Sequence, residues 1–119
     1  MIAMKQLKNK PQPGSREGRK EIIDFLLSIG FVIKTNFDSL VILEKTPANG
    51  FSIKATLSRS ALESRTAITV GEDIIQATSS LPWEEANTLL PTQAMMRLLN
   101  SSRADAFARL RKRVENKQN

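Results

Sequence analysis

Histidine, cysteine and tyrosine are absent from this 119-residue chain, and tryptophan occurs once, at Trp83. Without cysteine no disulfide can form, which fits a reducing compartment. Zinc, haem and iron–sulfur centres lose their usual ligands. The commonest general base and the most nucleophilic side chain are missing as well. Carboxylates, Lys, Ser and Thr remain for chemistry. The acids match no spacing that would gather two or three carboxylates around Mg²⁺, and Glu84-Glu85 suits the start of a helix better. The scattered glycines form neither a GxxxxGK[ST] nor a GxGxxG loop. These absences point away from an enzyme and lead us to expect no catalytic residues, no metal and no cofactor.

Long apolar runs are missing too. The longest clusters are Phe25-Leu26-Leu27, Phe31-Val32-Ile33 and Leu40-Val41-Ile42-Leu43. All fall far short of the roughly 18 residues that span a bilayer. Met1 to Lys8 carry no apolar stretch of the kind a secretory signal needs. The expectation is a cytoplasmic protein with no membrane partner.

What is present is basic charge, unevenly placed. The chain carries a formal charge of +6. Lys5, Lys8, Lys10, Arg16, Arg19 and Lys20 face a single acid, Glu17, within the first twenty residues. Arg103, Arg109, Arg111, Lys112, Arg113 and Lys117 face only Asp105 and Glu115 at the other end. The segment between them is slightly acidic. Basic ends around a near-neutral core are one way to present charge to a polyanion.

Periodicity supplies the fold class. Residues 1–18 hold Pro11, Pro13, Gly14 and Gly18 without apolar periodicity, and read as a flexible basic arm. A single α+β domain is expected over 19–119, ending in a basic amphipathic helix. Ile22, Phe25, Leu26 and Ile29 recur at helical spacing, with Ser15 as N-cap and Gly30 as stop. Strands are predicted over 31–35, 40–45, 51–58 and 64–70, with Asn49-Gly50 as a hairpin turn. Residues 72–79 read as a short helix, and Pro82 as the start of another. A helix over 92–100 follows, then a break at Asn100-Ser101-Ser102 and a last helix over 103–117. One continuous helix through the break is the alternative. The architecture predicted is an antiparallel sheet of about four strands, preceded by one helix and followed by two or three.

Two functions fit these features. The first is a nonenzymatic nucleic-acid-binding accessory protein that contacts the phosphate backbone of DNA or RNA. Its contacts would come from Lys5, Lys8, Lys10, Arg16, Arg19 and Lys20 in the arm and from Arg109, Arg111, Lys112 and Arg113 in the last helix. Lys34, Lys54 and Arg65 would add contacts from a wet sheet face. The second is a small adaptor, inhibitor or chaperone-like module. It would bind a protein partner, or a second copy of itself, through the apolar 83–99 segment or a sheet edge. Stacking on bases has little to work with, because the few phenylalanines mostly fall where a core would use them.

Overall fold

A computed structural model describes residues 11–118. The chain forms α1 (Arg16–Ser28) and five strands: β1 (Val32–Phe37), β2 (Leu40–Ala48), β3 (Phe51–Leu57), β4 (Ala61–Val70) and β5 (Asp73–Pro82). A short α2 (Trp83–Ala86) and a long α3 (Pro91–Gln118) complete it. The strands form one antiparallel meander in the order β1-β2-β3-β4-β5. The expected α+β class therefore holds, with five strands rather than four.

α1 begins where its cap chemistry places it. The Ser15 side chain accepts a hydrogen bond from the Gly18 amide at 3.0 Å, satisfying one orphan donor of the first turn. Residues 12–18, read from the sequence as the end of a flexible arm, are built into the fold. Pro13 and Gly18 are buried, and the Gly14 amide donates to Asn87 Oδ1 at 2.7 Å. The β2–β3 turn is Asn49-Gly50, between the paired residues Ala48 and Phe51. Only Gly50 carries a positive φ, of 78°, so the turn is not the doubly left-handed form, and a register shift between Lys45 and Ala48 accommodates it.

Residues 73–82 form β5, not the helix predicted over 72–79. Gly71, at φ 63°, turns the chain back on itself, and Ile75, Ala77, Ser79 and Leu81 then alternate inward opposite β4. Residues 100–102 do not break the last helix either. Ser102 is fully buried, and its hydroxyl lies 2.8 Å from Ser64 Oγ and 2.9 Å from Thr66 Oγ1. It joins α3 to β4 where a break was expected.

Both larger helices pack on one face of the sheet. Ile22 and Leu26 of α1 meet Phe31, Leu43, Ala55, Leu57 and Leu62 in the main core, which Trp83, Ala86, Ala94, Met95 and Leu98 close. Farther along α3, Ala106 sits on Ile68 and Ala77 in a second small cluster. Among the described residues, no helix packs on the opposite face of the sheet.

Candidate functional site

α3 lies along β4 and β5. Its contacts advance as β5 runs back. Ser79 Oγ donates to Ser101 Oγ at 2.8 Å, Arg109 Nη1 donates to the Gln76 carbonyl at 2.7 Å, and the Arg113 guanidinium pairs with Asp73. The helix is therefore committed to one side of the sheet. α1 covers the other side only in part. Its 13 residues reach about 20 Å, whereas the nine residues of β2 reach about 30 Å.

The uncovered remainder is a groove between α1 and α3. Phe25, Ile29 and Phe31 form one wall, Ile53 the floor, and Met96 and Leu99 the other wall. Lys45, Asn100 and Arg103 stand at its rim. Its volume is about 250 Å³. Met96 is 46% exposed. Beyond the groove, Phe107 is 40% exposed and meets Phe51 edge to face, with ring centroids 5.6 Å apart. Lys45 Nζ donates to the Ile29 carbonyl at the end of α1, a natural position for a cation beside a helix C-terminus.

The basic residues singled out by sequence are dispersed. Lys5, Lys8 and Lys10 lie outside the described residues. Arg19 stacks on the Trp83 ring, with its guanidinium carbon 4.6 Å from the centroid, and donates to the Gly14 carbonyl at 3.2 Å. Lys20 lies 3.6 Å from Asp24, and Arg16 flanks a shallow depression that Asp38 also lines. Arg109 and Arg113 fasten α3 to β5, whereas Arg111 and Lys112 are exposed. The start of α1 is anchored at Asn87, near the first turn of α3. Arg109 stands 18 residues farther along that helix than Pro91, about 27 Å away. The structure does not bring Arg16, Arg19 and Lys20 together with the basic end of α3.

The open sheet face alternates in sign. Lys54 and Arg65 are cross-strand partners, but Glu44 lies opposite Lys54 at 3.9 Å and Glu63 sits one pleat away on β4. Arg65 Nε donates to Thr78 Oγ1 at 3.1 Å. Lys34 is exposed at the irregularity in β1, where the register shifts between Ile33 and Thr35.

Most of the apolar 83–99 segment is core. Met95 and Leu98 are buried, and Trp83 donates from Nε1 to the Ser58 carbonyl at 2.8 Å. Only Met96 and Leu99 turn into the groove. Phe25, Ile29, Phe31, Ile53 and Arg103 complete it, and they come from three separate stretches of sequence. The apolar 83–99 segment was the one sequence signal that pointed there. Among the described residues, no cluster of three or more acids could hold a metal ion, and no helix is long and apolar enough to cross a membrane. Comparison with protein-family models, curated proteins and solved structures finds nothing that matches this chain.

Proposed function

We propose that this chain is a protein-binding module that receives an apolar segment of its partner in the groove between α1 and α3. The observation that carries this reading is the exposure of Met96 and Phe107 on the groove side of α3, next to a floor and wall of apolar side chains. Apolar surface left open beside a rigid helix is what partner recognition uses. Backbone contact to nucleic acid is the competing reading, and the exposed Arg111 and Lys112 favour it. It has fewer cations to draw on than the sequence suggested, because Arg19, Arg109 and Arg113 already serve internal contacts.

A display selection of peptides against the full-length protein tests the reading, with Met96→Glu as the counter-selection. Selected peptides should share an apolar stripe and bind the parent about tenfold tighter than the variant, the loss expected for one buried anchor. Peptides indifferent to Met96→Glu would sink the groove. Salt-sensitive oligonucleotide binding that Arg111→Glu with Lys112→Glu abolishes would give the function to nucleic acid instead.

A further inference from the structure

The groove has a sign as well as a shape. Its lining holds two cations, Lys45 and Arg103, and one amide, Asn100, but no carboxylate. The same character continues along α3. Wound at 3.6 residues per turn, Met96, Asn100, Arg103, Phe107 and Val114 fall within a sector of about 60°. That stripe runs 18 residues, about 27 Å. Met96, Phe107 and Val114 are its three exposed apolar side chains, and Arg103 stands between them.

The backbone on either side of the groove is already paired. β2 and β3 bond to each other and to their neighbours, and α3 bonds within itself. An extended peptide lying over β2 and β3 would find no free strand edge to extend. A helix needs none, because it satisfies its own backbone and presents only side chains. Arg103 at the rim, beside a Lys45 ammonium held at the Ile29 carbonyl, then selects the charge that flanks its apolar face, since like charges brought together at an interface are strongly disfavoured. The Arg103 guanidinium adds geometry, because its planar fork matches a carboxylate.

We infer that the groove takes an amphipathic helix of a partner protein whose apolar stripe is flanked by Glu or Asp. The helix lies along the Met96–Val114 stripe for about five turns. This inference rests on the protein-binding reading above and adds the partner's secondary structure and charge.

Two synthetic 18-residue peptides test it. Both carry Leu at helical spacing on one face, one flanked by Glu and the other by Lys. Each is fluorescein-labelled and titrated by anisotropy with the full-length protein, with Arg103→Glu, with Arg103→Gln and with Met96→Glu. The Glu-flanked peptide should bind the parent about tenfold more tightly than the Lys-flanked one, or better. Arg103→Glu should reverse that order, Arg103→Gln should narrow the gap, and Met96→Glu should weaken both peptides. Thermal unfolding of each variant separates lost binding from lost folding. Should Arg103→Glu fail to fold, the Arg103→Gln result decides. Equal binding of the two peptides, still weakened by Met96→Glu, keeps the groove as a protein site and removes the acidic partner. No binding of either peptide, or binding that ignores Met96→Glu, removes both the inference and the reading beneath it. Self-association lost in Met96→Glu, with no peptide bound, would seat a second copy in the groove and overturn the inference.

Discussion

The two edges of the sheet are managed in opposite ways. β5 is fastened along its length by side chains of α3: Ser101 meets Ser79, Arg109 reaches the Gln76 carbonyl, and Arg113 pairs with Asp73. Among the described residues, β1 has no such cover. It is six residues long, broken by an irregularity between Ile33 and Thr35, and carries exposed Lys34 there. Val32 and Phe37, near its ends, are 57% and 68% exposed. Short length, a kink and a lysine are standard protections against strand-to-strand pairing. The difference teaches what two of the basic residues of α3 do. Arg109 and Arg113 act as clasps on an edge strand, so counting them as free charge overstates what this chain offers a polyanion. It also weakens edge pairing as a route to a dimer, since one edge is clasped and the other guarded.

The comparison can be broken most severely beneath the clasps. Ala106 is fully buried against Ile68 and Ala77. Ala106→Leu should force α3 away from β5 and cost about 3 kcal/mol, the upper end for overpacking, measured by denaturant unfolding. Unchanged stability would mean that the contact is looser than its burial implies. Next in size is Ser102→Ala, which leaves the buried hydroxyls of Ser64 and Thr66 without their shared partner. A loss of about 1–3 kcal/mol is expected, the cost of stranding buried polar groups. A loss below experimental error would show that the two hydroxyls find other partners.

The clasps themselves are smaller effects. A double-mutant cycle on Arg113→Ala and Asp73→Ala should give a coupling under about 1 kcal/mol, because Asp73 is exposed, Arg113 is only half-buried and salt screens the pair. Amide exchange should nonetheless speed up in β5 more than in β1. Smallest in stability is Lys34→Val, within about 0.5 kcal/mol as for most surface substitutions. Its signature is association: sedimentation should show concentration-dependent oligomers that the parent lacks. A monomeric Lys34→Val would leave the register shift as the guard of β1.

Much of this fold was legible because its signals are local. Ser15 caps α1, Asn49-Gly50 turns β2 into β3, and the alternation of β3 names its covered face. Two misses, β5 and the unbroken middle of α3, share one cause. Ser64, Thr66, Ser79 and Ser102 are small polar residues at inward positions, and a reading that equates inward with apolar passes over them. The sequence of β5 therefore lost its alternation, and Asn100-Ser101-Ser102 looked like a gap when it is the middle of a helix. Only the opposing hydroxyls of β4, some 36 to 38 residues away, make Ser102 at home there. The groove was less legible still. It exists because α1 is shorter than the sheet it covers and α3 commits to β4 and β5. Neither relation is written in any single segment.

The hydroxyl junction of Ser64, Thr66 and Ser102 bears on recognition as well as on stability. Alanine and leucine contacts hold a helix against a sheet but say little about its axial position, and a slip of one turn, about 5.4 Å, would exchange one set of apolar neighbours for another. A slip by that distance would part Ser102 from both hydroxyls. The junction works as a locating pin, giving α3 one seat. Met96 and Phe107 ride on the same helix, so the spacing between the apolar anchors and the sheet is set before any partner arrives, and a visitor meets a gauge of fixed width.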